Sequence, residues 1–150
     1  MHSISEWLPD DAATRAFGAR LKSLLQPGDI VYLQGDLGAG KTTLVRALLR
    51  SMGYKGVVKS PTYTLIETYH PDALTVHHLD VYRLTEPEEL EWLGIRDLFD
   101  KATIALIEWP EKGVGFLPPA TVTVSLAVKQ EGRQIEVSRG LSESYERRES

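Results

Sequence analysis

The chain has 150 residues, of which 42% are hydrophobic and 25% charged, with a formal net charge of −4 and no cysteine. This is the composition of one ordinary globular domain with a single sizeable core. The acidic balance argues against strong stand-alone binding to nucleic acid, which needs a basic footprint, and the lack of cysteine excludes disulfides, thiolate zinc sites and a cysteine nucleophile.

In chain order, Met1 to Asp11 lacks the apolar run of a signal peptide, and no stretch is long enough to span a bilayer. A cytosolic (cytoplasmic) protein with no membrane partner is expected. Pro9 to Leu25 is predicted as a first helix, with Asp10 and Asp11 at its start and Ala13, Phe17, Leu21, Leu24 and Leu25 on one apolar face. Asp29 to Gln34 reads as a short buried strand. After it, Leu44, Val45, Leu48, Leu49 and Met52 recur at helical spacing, and Gly53 closes that helix. Gly53 to Lys59 is a loop. Thr62 to Tyr69 and Leu74 to Tyr82 are predicted strands joined as a hairpin through Pro71-Asp72-Ala73. Thr85 and Glu88 form a capping-box pattern for a short acidic helix that ends at Gly94. Ile104 to Ile107 is a continuous apolar run, as in a buried central strand. Pro118-Pro119 precedes a strand with Val122, Val124, Leu126 and Val128 inward; Glu131-Gly132 turns the chain into a last strand with Ile135 and Val137 inward.

This order predicts an α/β fold, a small single domain with a mixed parallel and antiparallel sheet flanked by helices. The domain is expected over residues 1–141, followed by a polar tail, 142–150, that frays.

Between the first strand and the second helix stands Gly35-Asp36-Leu37-Gly38-Ala39-Gly40-Lys41-Thr42: glycine, four residues, then Gly-Lys-Thr. Strand, glycine loop and helix together are the setting of a phosphate-binding loop, which makes the expected fold that of a small single-domain P-loop NTPase. Its successive N–H groups form a concave anion site, and the helix adds its positive end. Lys41 can reach the β- and γ-phosphates, the Thr42 hydroxyl can ligate Mg²⁺, and Thr43 is placed for a further phosphate contact.

Such a loop needs an acid to orient Mg²⁺ or the attacking water. Glu108, ending the apolar strand, resembles a Walker B acid with Glu in place of the usual Asp. Asp80 lies in His78-Leu79-Asp80-Val81-Tyr82-Arg83. In a strand, His78, Asp80 and Tyr82 share one face and His77 takes the other. That face is either a site or a solvated surface, and His78 alone reads as a structural hydrogen-bonding group. Trp109 stacks on a base or is an ordinary aromatic after a strand; the residues leave both readings open. Arg83 is either a phosphate-stabilising cation or an exposed strand-end arginine. By its residues alone, Ser60-Pro61-Thr62-Tyr63-Thr64 is a turn before a strand.

The motifs together resemble the bacterial TsaE (YjeE) family. They are Gly35 to Thr43, Ser60 to Leu65, His78 to Arg83, Pro87 to Leu90, Gly94 to Asp97 and Glu108-Trp109-Pro110. The resemblance implies an ATPase of tRNA threonylcarbamoyladenosine modification, using ATP and Mg²⁺. It implies a TsaB–TsaD pair as partner, with tRNA engaged indirectly. By position it implies that Gly38, Ala39, Gly40, Lys41, Thr42, Thr43 and Trp109 contact the nucleotide. Thr42, Asp80 and Glu108 hold the metal, while Asp80, Glu108 and Lys41 serve hydrolysis. Ser60, Thr62 and Thr64 correspond to a switch-like segment.

Two rivals come from other classes. A small-molecule or nucleotide kinase shares the loop but needs an acceptor pocket and an arginine-rich lid; the only closely spaced arginines after the loop are Arg147-Arg148. A GTP switch needs a guanine-reading Asn/Thr-Lys-x-Asp sequence, which is absent, so ATP is favoured.

Overall fold

The structure, a computed structural model, describes residues 2–36, 38–113 and 115–140. Strand β1 (His2–Leu8) leads into helix α1 (Asp11–Leu24), strand β2 (Ile30–Gln34) and helix α2 (Lys41–Ser51). Strands β3 (Ile66–Tyr69) and β4 (Thr75–Asp80) follow, then a short helix α3 (Glu89–Trp92) and strand β5 (Thr103–Glu108). The hairpin β6 (Val122–Lys129) and β7 (Gly132–Arg139) completes the sheet. The sheet is seven-stranded, in the order β1-β7-β6-β2-β5-β4-β3. Its centre is parallel, β2 lying between β5 and β6 with β4 beyond β5. Both margins are antiparallel. The predicted mixed α/β architecture is therefore present.

The periodicities explain the layers. On one face, Phe17 and Leu21 of α1 and Leu44, Leu48 and Leu49 of α2 are at most 1% exposed and pack over Val31, Leu33 and Val124. Burying each such side chain contributes about 1.5–3 kcal/mol. The two helices cross closely at Gly18, where an added Cβ would lie 2.5 Å from the Ala47 Cβ. On the other face, Tyr32, Leu79 and Ile107 pack with Leu90, Ile95 and Leu117. All six residues of β5 are buried, as its unbroken apolar run requires between two parallel neighbours.

Several expectations need correction. Residues 2–8 form a strand that the sequence reading missed; it is largely polar and takes its order from pairing with β7. Helix α1 starts later than predicted, because Asp10 is its cap and accepts the Ala13 N–H at 2.8 Å. Strand β3 is shorter than Thr62–Tyr69. Residues 61–64 coil into a turn closed by the Leu65 N–H to the Pro61 carbonyl at 2.8 Å, with Leu65 at φ 71°. Strand β4 stops at Asp80, whose carboxylate accepts the Tyr82 N–H at 3.0 Å, so Tyr82 leaves the face it was expected to share. The predicted capping box does not form: the cap of α3 is Glu88, and the preceding turn is closed by the Glu89 N–H to the Glu86 carbonyl. Val128 is 58% exposed, because β6 runs past the helices that cover Val122 to Leu126. The tail 142–150 and the domain limit at 141 lie outside the described residues. Among the described residues, no helix is long and apolar enough to cross a membrane.

One buried acid holds the N-terminal end of the sheet's centre. Asp29 is 3% exposed and receives Arg139 Nη1 and Nη2 at 2.9 and 2.8 Å, the Gln26 N–H at 2.8 Å and the Thr121 hydroxyl at 2.9 Å. Burial pushes its carboxyl up, but the Arg139, Gln26 and Thr121 hydrogen bonds together pull it below the ordinary Asp value. A carboxyl held down in the folded state stabilises above its unfolded pKa, and that stability is lost as pH falls through the folded one. Asp29→Asn should therefore lower stability at neutral pH by about 1.5–3 kcal/mol. The deficit should shrink in strong acid, where the parent's Asp29 is also protonated. Unfolding curves at the two pH values check this; a pH-independent deficit would contradict it.

Candidate phosphate-loop site

Because β4, β5 and β2 run parallel, their C-terminal ends reach one edge of the sheet, where ligands of α/β proteins bind. Residue by residue, Leu33 pairs with Glu108 and Asp80 pairs with Glu108. The strand that feeds the loop and the two acids predicted from sequence are thus adjacent.

The loop turns where only glycine fits. A Cβ on Gly35 would lie 2.5 Å from the Leu126 carbonyl oxygen. Gly40, at φ 100° in the left-handed region, is the last residue before α2. The turn delivers Lys41 and Thr42 at the positive end of an eleven-residue helix. Gly38, Gly40, Lys41, Thr42, Thr43, Ser60, Thr62, Asp80, Glu108 and Trp109 line one cavity of about 290 Å³. Most of the predicted site residues therefore converge. Two do not line it: Ala39 is buried beneath the loop, and Thr64 turns away to donate to Glu67 Oε1 at 3.1 Å.

Lys41 is only 6% exposed; its Nζ donates to the Gly35 carbonyl at 2.6 Å, lies 3.5 Å from Glu108 Oε1 and sits 4.3 Å from the Trp109 ring centroid. Trp109 reaches that position through a backbone φ of 59°, uncommon for a bulky residue, and packs on Tyr82 at 4.8 Å between centroids. Glu108 is buried with His78, whose Nε2 lies 2.6 Å from Oε2. A carboxylate only accepts, so Nε2 carries the proton. His78 Nδ1 is buried with no hydrogen-bond partner among the described residues. His78 is thus the structural hydrogen-bonding group the sequence indicated, and its partner is Glu108.

The two acids sit in different fields. Burial pushes Glu108 up, but the hydrogen bond and charge of His78 and the nearby Lys41 outweigh it, leaving the carboxyl below its ordinary value. Burial also pushes Asp80 up, and there it wins: the Tyr82 N–H, Lys41 and His78 draw the carboxyl down only in part, while Glu108 adds to the rise. Thr62 Oγ1 approaches Asp80 Oδ2 at 3.5 Å and Ser60 Oγ at 2.7 Å, so the turn before β3 is folded against the acid. Two neighbouring carboxylates, one disfavoured as an anion, beside a helix-end hydroxyl form a hard-oxygen donor set that suits Mg²⁺. The glycine loop and Lys41 suit a polyphosphate. Two further residues line the same cavity without any sequence signal for it: Arg133 of β7 and Asp11 of α1.

Sheet, loop and paired acids define a phosphate-loop α/β protein. The profile of the family described as threonylcarbamoyl adenosine biosynthesis protein TsaE matches residues 8–135. The chain belongs to this family. The tRNA threonylcarbamoyladenosine biosynthesis protein TsaE of Haemophilus influenzae is 46% identical over 142 residues, covering 91% of this chain and 90% of that protein. Its counterpart in Treponema pallidum is 40% identical over 126 residues, covering 83% of this chain and 93% of that protein. Among solved structures, Bacillus subtilis YdiB superposes with a TM-score of 0.77 at 26% identity, covering 93% of this chain and 87% of that one.

Proposed function

We propose that the chain binds Mg-ATP at the phosphate loop and hydrolyses it, in support of tRNA threonylcarbamoyladenosine modification in the cytoplasm. Its partner is a TsaB–TsaD pair, and tRNA is engaged through that pair. The observation that carries the reading is the convergence of Lys41, Thr42, Asp80 and Glu108 on one cavity at the C-terminal edge of the parallel strands. The loop N–H groups and Lys41 hold the phosphates. Thr42, Asp80 and Glu108 hold the metal, which when bound draws charge from the phosphate oxygens. The ionised Glu108, steadied by His78, orients the attacking water. Trp109 flanks the nucleotide. Ser60 and Thr62 form the switch-like segment at the γ-phosphate; Thr64 belongs to it by position but supports the turn through Glu67.

The protein alone is a slow ATPase. Ser60, on the cavity wall, is exposed and Thr62 is half-buried, and hydrolysis needs water positioned and bulk solvent excluded. A partner surface closing there accelerates turnover and, because linkage is reciprocal, binds more tightly when ATP is present. The test is to titrate a TsaB–TsaD pair into the protein with ATP, with ADP and without nucleotide, following binding and phosphate release. ATP-tightened binding with faster release is expected. Equal affinity in all three conditions without faster release would refute partner activation and shift weight to the kinase reading, which phosphorylation of a supplied acceptor would establish.

A further inference from the structure

The phosphate loop is held from outside by a side chain that belongs to none of the motifs. Arg133 is the second residue of β7, paired with Leu8 on one side and Val128 on the other, so the sheet fixes its backbone. Its guanidinium leaves the sheet and meets the loop from the side. Nε donates to the Ala39 carbonyl at 2.9 Å and Nη2 to the Gly38 carbonyl at 3.2 Å, while Nη1 returns to the Gly132 carbonyl at 3.3 Å.

We infer that Arg133 is a positioning residue for phosphate binding, a clamp that keeps the Gly40 N–H turned toward the anion; this rests on the nucleotide-binding reading above. A trans peptide carries its C=O and N–H on opposite sides. Pinning the Ala39 carbonyl on Arg133 therefore turns the Gly40 N–H the other way and holds it there. The Ala39 N–H is already used inside the loop, on the Asp36 carbonyl at 3.0 Å. Gly38 and Gly40 stand at φ 81° and 100°, and glycine has the most backbone freedom to lose. A loop rich in glycine gains most from an external hold. Hydrogen bonds from a charged donor are of the stronger kind. The planar fork spans two successive carbonyls at once, which a lysine ammonium on a flexible stem does not reproduce.

The clamp differs from an arginine that reads the γ-phosphate. A γ-phosphate contact distinguishes ATP from ADP. A clamp prepares the cradle shared by both nucleotides, and it acts before either arrives.

The test compares Arg133→Lys, which keeps the charge, and Arg133→Met, which removes it. In the protein without nucleotide, amide exchange at Ala39, whose N–H is bonded to the Asp36 carbonyl, should quicken by about tenfold in both variants, while β5 amides keep their protection. By calorimetry, affinity for Mg-ADP and for Mg-ATP should fall by the same factor, about tenfold. Parent-like affinity and exchange in Arg133→Lys would overturn the clamp in favour of charge alone. A loss confined to ATP would overturn it in favour of a γ-phosphate contact. Loss of β5 protection in both variants would show that Arg133 serves the fold. A parent protein that binds neither nucleotide would defeat the ATP reading instead, and the exchange measurement would still decide whether the loop is clamped.

Discussion

Lys41→Ala is expected to weaken Mg-ATP binding by about ten- to a hundredfold in a protein that stays folded. The ammonium sits at the start of α2, within the cavity and beside both the Gly35 carbonyl and Glu108. When a polyphosphate enters, it is the charged group best placed to exchange those contacts for phosphate oxygens. Its removal takes away a charge-assisted hydrogen bond that nothing else at the helix end replaces. The fold should survive for two reasons. Alanine is the best helix former for the first turn of α2. Glu108 also keeps its bond to His78, so its charge is not left buried alone. Calorimetry with Mg-ATP and a far-UV spectrum make the comparison; undiminished affinity in a folded variant would remove Lys41 from the site.

Glu108→Gln and Asp80→Asn are expected to do the opposite, cutting turnover by about a hundredfold or more while changing affinity only a few-fold. Both replacements keep the shape and remove the charge. Charge on these carboxylates matters most when the phosphoryl group and water react, so its loss falls on the chemical step. Isosteric replacements are preferable to alanine, because Glu108→Ala would strand His78 and Lys41 in a buried pocket at a cost of about 3–5 kcal/mol. Single-turnover phosphate release in the assembled system, set beside nucleotide affinity, separates the two effects. Normal release from either variant would show that its acid has no part in hydrolysis.

What the sequence made legible was whatever depends on neighbours in the chain. The glycine loop, the apolar spacing of α2 and the unbroken run ending at Glu108 are local patterns, and each sits where the pattern placed it. Asp80 was legible as part of a strand face, though which side of the sheet faced a site was not. The failures have non-local causes. No property of residues 2–8 signals a strand without β7 beside them. The turn at 61–64 depends on Leu65 adopting a positive φ, against its β-like composition. Trp109 was ambiguous because its ring is brought over Lys41 by an unusual backbone angle that spacing does not encode. Arg133 reads as an ordinary strand residue until the hairpin is folded beside the loop. The capping-box pattern at Thr85 was present but unused, since the turn there is closed by main-chain bonds alone.

The first strand of the sheet in chain order pairs with the last. The bond from Gln134 Nε2 to Ser5 Oγ joins positions 129 apart, and among the described residues β7 is the sole sheet neighbour of β1. Closing so long a loop costs little more at equilibrium than closing a moderate one, because the penalty grows with the logarithm of length. Its cost is in time, since distant pairings slow folding. The pairings of β2 with β5 and of β4 with β5, which bring the loop and both acids together, span much less of the chain than that of β1 with β7. The cradle for phosphate thus rests on shorter-range pairings than the arginine that braces it, which depends on β7 seating between β6 and β1.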